Sequence, residues 1–254
     1  LSEIENKKML EKPYKNISFI YSHLMRSIDY EKWAGYIFEL SNQLKRKPEN
    51  ILEIACGTGK IAEILNKKFK NYITCDYSLH MLNQFRSNSI SRVCADMTAL
   101  PFNYEFDFIF STFDSINYIT SRTSLQKFFN EVGKCLSEEG SLTFDVSLEK
   151  NSLKYVRYLN RSGKYNGILF NQKSNYNKKN RIHYNYFEIT FSDGTMVKEV
   201  HKQKIYRFND YFDLIDKTSL YVSKCYDTFT FKPASSESER VQFVLKRKEN
   251  NANF

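Results

Sequence analysis

The chain has 254 residues, 41% hydrophobic and 16% aromatic, with a formal net charge of +9. That length and apolar content support one large α/β domain, or a domain with an insertion, and exclude a disordered chain. No apolar run approaches the 18 residues of a membrane span, and five cysteines without CxxC spacing point to buried thiols in a reducing cytosol, not to a disulfide framework or a metal centre. Cys56, Cys75 and Cys94, each at the end of an apolar run, are expected to be buried. The charge is uneven: residues 151–206 hold 11 Lys/Arg against 3 Asp/Glu, and the rest of the chain is nearly neutral. Such a segment suits either a solvated lysine-rich face or an anionic partner. The opening Leu-Ser-Glu-Ile-Glu-Asn-Lys-Lys lacks the pattern of a signal peptide, and Leu1 in place of Met suggests residues before it.

Residues 14–44 read as helical, with Ile17, Ile20, Tyr21, Leu24, Met25 and Ile28 at helical spacing, repeated from Trp33 to Leu44 and broken at Lys47-Pro48. A strand at 51–55 leads into a helix to about Lys68. Tyr72–Asp76 is a second strand, and Ser78 can cap the helix that carries Met81, Leu82 and Phe85. Ser91–Ala95 is a third strand, ending at Asp96, and Phe106–Ser111 a fourth. A helix from about Ser124 to Leu136 is expected to stop at Glu138-Glu139-Gly140, before a fifth strand at Ser141–Val146. Strands alternating with helices imply a parallel sheet with right-handed crossovers. After Ser147 the apolar period changes to two, which predicts an antiparallel sheet over about 165–206 with a hairpin turn at Asp193-Gly194. A helix at Phe208–Leu220 and strands at Tyr221–Phe231 and Arg240–Lys248 complete the chain. The expected division is a helical cap at 1–47, a Rossmann-like core at 48–150, an inserted antiparallel sheet at 151–206 and a C-terminal helix and hairpin at 207–254.

Residues 51–59, Ile-Leu-Glu-Ile-Ala-Cys-Gly-Thr-Gly, run from strand through a tight glycine turn into a helix, a shape that brings backbone close to a nucleotide-like ligand. Gly57-x-Gly59-x-x-Ala62 fits a dinucleotide fingerprint, with Asp76 placed for a ribose hydroxyl. Glu53 at the strand end argues against NAD, whose pyrophosphate a carboxylate would repel. It is compatible with the cationic sulfonium and amino groups of S-adenosylmethionine (SAM).

Glu53-x-Ala55-x-Gly57-x-Gly59 resembles motif I of the class I SAM-dependent methyltransferases, where Gly is commoner at the third position. Tyr21-x-x-Leu24-Met25, Tyr30-x-x-Trp33 and Asp114-Ser-x-Asn117-Tyr118 are similar to elements of small bacterial members of unassigned substrate, although Ser22 stands where those relatives often carry Asp. The resemblance implies a seven-stranded sheet, SAM as cofactor and a methyl acceptor as second substrate. Asp76 would take the ribose hydroxyls, Tyr77 and Met81 would flank the adenine, and Asp96 and Met97 would hold its amino group and edge. Ala55, Cys56, Gly57 and Gly59 would form the turn beside the cofactor. Tyr21, Trp33, Thr112, Phe113, Asp114 and Tyr118 would complete its pocket.

The acceptor should meet the methyl group where the fourth strand runs into Thr112–Tyr118. No Asn/Asp-Pro-Pro-aromatic element and no Pro-Cys pair occurs, which argues against the best-known amino-directed and cytosine-C5 nucleobase methyltransferases. Of the four histidines, His80 suits a helix surface, while His183 and His201 lie in the inserted sheet. His201 is the first candidate for a general base. The insertion, with Lys202 and Lys204, is expected to cover an acceptor, an anionic small molecule among the options. The favoured function is cytosolic methyl transfer from SAM to N or O of a small molecule. The alternatives are an RNA-directed methyltransferase that uses the basic insertion and a non-catalytic SAM-binding protein.

Overall fold

The computed structural model describes residues 10–249. The readings of residues 1–8, and the outer ends of the first and last proposed segments, lie outside the described residues. A lead-in segment gives a two-residue strand β1 (Leu10–Glu11), a 3-10 turn at Ile17–Phe19 and a one-turn helix α1 (Tyr21–Leu24), before helix α2 (Tyr30–Ser41). The continuous helix expected from residue 14 does not form. Tyr14 is left-handed (φ +64°), a conformation a helix does not continue through, and the N–H groups of Tyr14, Asn16 and Ile17 all go to the carboxylate of Glu199, which pins the segment to the inserted sheet. α2 starts afresh at Asp29, whose side chain accepts from the Lys32 N–H at 2.9 Å.

The core follows in β/α alternation: β2 (Asn50–Ile54), α3 (Lys60–Leu65), β3 (Asn71–Asp76), α4 (Leu79–Leu82), β4 (Ser91–Cys94), β5 (Phe106–Ser111), α5 (Arg122–Cys135) and β6 (Leu136–Ser147). The fifth strand starts directly after α5, with no glycine stop between. Gly140 lies inside it, where an added Cβ would come within 3.0 Å of the Phe106 carbonyl oxygen. Next come α6 (Glu149–Tyr155), β7 (Arg161–Tyr165), β8 (Ile168–Asn177), β9 (Ile182–Thr190) and β10 (Met196–Lys204). The sequence reading had no counterpart for α6 and began the inserted sheet after most of β7. Helix α7 (Phe208–Ile215) and strands β11 (Leu220–Asp227) and β12 (Arg240–Arg247) close the chain.

The main sheet has seven strands in the order β11-β12-β6-β5-β2-β3-β4. β2 to β6 pair in parallel, and β12 inserts antiparallel between β6 and β11. Chain order reverses at β2, so the crevice beyond its carboxyl end is the expected ligand site of such a sheet. Phe128, Phe129 and Tyr211 of α5 and α7 pack with Phe144 and Phe243 on one face. Ile37, Leu40, Ile61 and Leu65 of α2 and α3 cover Ile51, Phe108 and Phe110 on the other.

The second sheet runs β1-β10-β9-β8-β7, antiparallel except for the short parallel β1. Its Phe170, Phe187 and Ile189 clamp Ile17, Ile20 and Leu24 of the lead-in segment. The Asp114–Tyr118 stretch joins the two sheets. Asn117, 0% exposed, accepts from the Ser147 N–H at 2.9 Å and donates to the carbonyls of Ser147 (3.2 Å) and Lys204 (2.8 Å), the last residues of β6 and β10. Replacing Asn117 with Ala leaves these buried backbone groups without partners. The expected destabilisation is about 3 kcal/mol or more in urea unfolding, and a loss under about 1 kcal/mol would show that the clamp is not structural.

Candidate active site

Beyond β2, Ala55 and Gly57 are both left-handed (φ +57° each). They turn the backbone so that Ala55 and Gly57 border a cavity of about 390 Å³ with Asp76, Tyr77, Met81, Asp96 and Met97. Tyr14, Tyr21 and Tyr118 form its inner wall. Asp76 accepts from the N–H groups of Gly57 and Ser78, 2.8 Å each. Burial pushes its pKa up, and those two amides oppose the rise. Asp96 uses Oδ1 for Thr98 N–H (2.7 Å) and hydroxyl (2.8 Å). Tyr77, 65% exposed, stands at the rim. Among the described residues no Lys or Arg lines this cavity, so it offers two carboxylates and nothing to neutralise a pyrophosphate. A hollow of about 40 Å³ continues under the turn between Cys56, Gly57, Tyr21 and Phe113.

Several expected ligands stand elsewhere. Glu53 is 1% exposed and borders neither cavity. Alternation along β2 turns it, with Ile51, toward the α2/α3 face, where the Tyr72 hydroxyl donates to it at 2.7 Å. Burial raises its pKa to about 8. Glu53 is therefore a neutral acid at pH 7, and the charge argument against a pyrophosphate passes to Asp76 and Asp96. Gly59 (φ +74°) also lies off the cavity, because an added Cβ would fall 2.1 Å from the Phe85 ring. Thr112 is buried and borders neither cavity. Cys94 is exposed, while Cys56, Cys75 and Cys135 are buried.

A second cavity, of about 480 Å³, lies between the core and the inserted sheet, and Tyr14, Tyr21 and Tyr118 face both spaces. Trp33 belongs here, tilted against Phe113 (ring centroids 4.7 Å apart) and edge-on to Phe229 (4.6 Å). So does Asp114, which accepts from Ser147 Oγ (3.1 Å), Gln203 Nε2 (2.8 Å) and Arg240 (3.0 Å). Phe113 and Asp114 are consecutive left-handed residues, so this turn is held by side-chain bonds rather than by backbone preference. Arg240 also pairs with buried Asp145. Burial lifts Asp145 to about 6 against the pull of Arg240. Burial works against the Arg240 charge too, but Asp114 and Asp145 outweigh it and hold the guanidinium protonated. Trp33 and Asp114 thus shape the second cavity and not the first.

On β10 the alternation points Glu199, His201 and Gln203 inward and leaves Lys202 exposed. Lys204 Nζ donates to the Asn180 carbonyl at 2.6 Å. The expectation that Lys202 and Lys204 face the acceptor is therefore corrected: the cations at this cavity are Arg161 and Arg240. Arg161 bonds to Gln172 Oε1 (2.8 Å) and the Leu24 carbonyl (3.1 Å) and has no carboxylate partner among the described residues. Burial lowers its pKa. His183 meets Ser174 Oγ at 2.6 Å on the cavity wall, and burial lowers its pKa. His201, 2% exposed, has both ring nitrogens engaged: Nδ1 with the Tyr118 hydroxyl (3.2 Å) and Nε2 with Glu199 Oε2 (3.0 Å). Sequence reasoning missed Tyr14, Arg161, Glu199 and Arg240. For Glu199 a signal existed, since a residue two before His201 on a strand shares its face.

The sheet order, the glycine turn and the phosphate-hostile cavity at the switch point define a class I methyltransferase fold, and comparison with known proteins agrees. A family described as "Methyltransferase domain" matches residues 51–140. The crystal structure of an S-adenosylmethionine-dependent methyltransferase from Clostridium acetobutylicum ATCC 824 is 27% identical, covers 93% of this chain and 99% of its own, and superposes with a TM-score of 0.75. A Geobacillus sp. (strain WCH70) protein, named only as a provisional methyltransferase, is 26% identical over 92% of this chain and 99% of its own length. A malonyl-[acyl-carrier protein] O-methyltransferase of Priestia megaterium is 30% identical over 56% of this chain and 52% of its own. The chain thus carries a methyltransferase domain over residues 51–140 and is similar along nearly its whole length to SAM-dependent methyltransferases. The near-full-length relatives at 26–27% identity carry names that state no acceptor.

Glu53 gives a test of the site's electrostatics in the protein alone. Its folded pKa of about 8 lies above the ordinary 4.5, so the native state binds the extra proton. Stability therefore falls as pH rises from about 4.5 to about 8 and stays lowered above that. Glu53→Gln should match the parent at pH 4 and exceed it at pH 9 by a few kcal/mol. Equal unfolding midpoints at both pH values would mean that Glu53 is ionised in the fold.

Proposed function

We propose that the protein transfers the methyl group of SAM to a nitrogen or oxygen of a small molecule held in the second cavity. The observation that carries this reading is the pair of cavities meeting at Tyr14, Tyr21 and Tyr118. When bound, SAM supplies a methyl group already activated by a positive sulfur. The first cavity suits it: Asp76 has lone pairs left for two ribose hydroxyls, Met81, Tyr77 and Met97 offer apolar surface to the adenine, and Asp96 Oδ2 is unbonded among the described residues. The chain's own contribution is alignment and exclusion of water, with the lead-in segment and inserted sheet as roof. A solved sugar N-methyltransferase from Streptoalloteichus sp. ATCC 53650 shares this fold (15% identity over 91% of this chain and 93% of its own, TM-score 0.71), which favours a small-molecule acceptor. Arg161, a cation without a carboxylate partner among the described residues, favours an acceptor with an anionic group. His201 serves as the proton acceptor of the site.

S-adenosylhomocysteine should bind with micromolar affinity in calorimetry. Asp76→Ala should weaken it by roughly 2–4 kcal/mol and, because both carboxylate oxygens also hold backbone, cost about 1–2 kcal/mol of stability. Binding of NADH without S-adenosylhomocysteine would overturn the cofactor assignment.

The acceptor class is tested by incubating the protein and methyl-labelled SAM with a cell extract, then separating RNA from small molecules. Label is expected in the small-molecule pool, anionic fractions first. Label confined to RNA would replace this reading with the RNA-directed one.

A further inference from the structure

Neither nitrogen of His201 is free to touch an acceptor, which changes how that residue can serve as a base. Nδ1 faces the Tyr118 hydroxyl at 3.2 Å, and the Tyr118 oxygen in turn receives the Tyr14 hydroxyl at 2.6 Å. Tyr14 is the outermost member of this chain and borders both cavities. At the other end, Glu199 is 0% exposed and binds His201 Nε2 at 3.0 Å. Its other bonds come from the N–H groups of Tyr14 (2.8 Å), Asn16 and Ile17 (3.1 Å). The carboxylate therefore holds the histidine and the backbone of Tyr14 together.

We propose that Tyr14, Tyr118, His201 and Glu199 form a proton relay that opens onto the acceptor through the Tyr14 hydroxyl. The proposal rests on the reading of the second cavity as the acceptor site. It applies to an acceptor that loses a proton on methylation. As the acceptor atom bonds to the methyl carbon and the carbon–sulfur bond breaks, its proton passes to the Tyr14 oxygen. The Tyr14 proton moves to the Tyr118 oxygen, and the Tyr118 proton to His201 Nδ1. The net change is one proton from the acceptor to His201, whose imidazolium is balanced by Glu199. Burial lifts Tyr14 and Tyr118 well above the ordinary tyrosine range, so neither is a standing phenolate, and each can only pass a proton on. Burial also pushes Glu199 up, but the bonds from His201 and the backbone outweigh it and keep the carboxyl below its ordinary range. Tyr14 would be the catalytic residue; Tyr118, His201 and Glu199 act through it.

The titratable groups facing His201 are Glu199 on its own strand, Tyr14 and Tyr21 from the lead-in segment and Tyr118 from the turn after β5. Across the cavity stand His183, Asp114, Arg161 and Arg240. The first measurement needs no acceptor. Nitrogen-15 NMR of the unaltered protein at pH 8 should show His201 as the Nε2–H tautomer with Nδ1 unprotonated. An Nδ1–H tautomer would overturn the relay, because that nitrogen could receive nothing. Glu199→Gln, which replaces the carboxylate at Nε2 with a neutral amide, should then shift the Nε2–H resonance. Tyr118→Phe, which keeps the Glu199 bonds to the backbone, should perturb Nδ1 and leave Nε2–H in place.

The second measurement is the pH profile of methyl transfer from SAM into the small-molecule pool of an extract. Its acidic limb should move in Glu199→Gln. Tyr14→Phe should lower the rate at saturating acceptor about 100-fold. A limb that stays fixed in Glu199→Gln, or full activity of Tyr14→Phe, overturns the relay and leaves the methyltransferase reading standing. Absence of label from every pool overturns that reading itself.

Discussion

One guanidinium holds together the walls of the second cavity. Arg240 pairs with Asp114 and Asp145 at the edge of the core sheet. Asp145 is fully buried on β6 and Asp114 sits in a turn of two left-handed residues. Two carboxylates this close repel each other, and the shared guanidinium offsets that repulsion. With the cation in place, Asp114 can also accept from Ser147 and Gln203, which ties the fourth-strand turn to the inserted sheet. The position of Tyr118, and through it the boundary between the two cavities, follows from that turn.

The parallel half of the fold was readable because its strands are apolar runs punctuated by acids and glycines, and that punctuation is local. The hairpin at Asp193-Gly194 was readable for the same reason: a period of two and a turn dipeptide need no knowledge of the rest of the chain. What failed were features set by distant partners. The lead-in helix was expected from spacing alone, but the segment is pinned to a carboxylate some 180 residues away, with Tyr14 in a left-handed conformation. Gly140 looked like a helix stop because glycine often is one. Here it is glycine because the neighbouring strand's backbone passes too close for a Cβ.

The site divides in the same way. Asp76, Tyr77, Met81, Asp96 and Met97 follow strand ends directly and gather around one space. Glu53 carried the sequence argument, yet alternation along its strand sends it behind the turn. A motif fixes which residues are near the turn, whereas the side of the sheet decides what each one touches. For the second cavity the sequence pointed to the Thr112–Tyr118 turn and the inserted sheet, but not to how they meet. Its walls come from the lead-in segment, the turn after β5, β7 to β10 and the first residue of β12, and only the folded chain brings these together.

The place of β12 has a consequence for how the protein is made. It supplies Arg240 and pairs with β6 across a gap of 95 residues. While the intervening chain is still being synthesised, β6 is an open sheet edge with unpaired backbone groups, and Asp114 and Asp145 lack their cation. At ordinary translation rates that interval is on the order of 5–20 s. Long-range antiparallel closure of this kind is slow in itself. The nascent chain therefore spends seconds with a sticky edge, and the second cavity is completed only when the final strand docks.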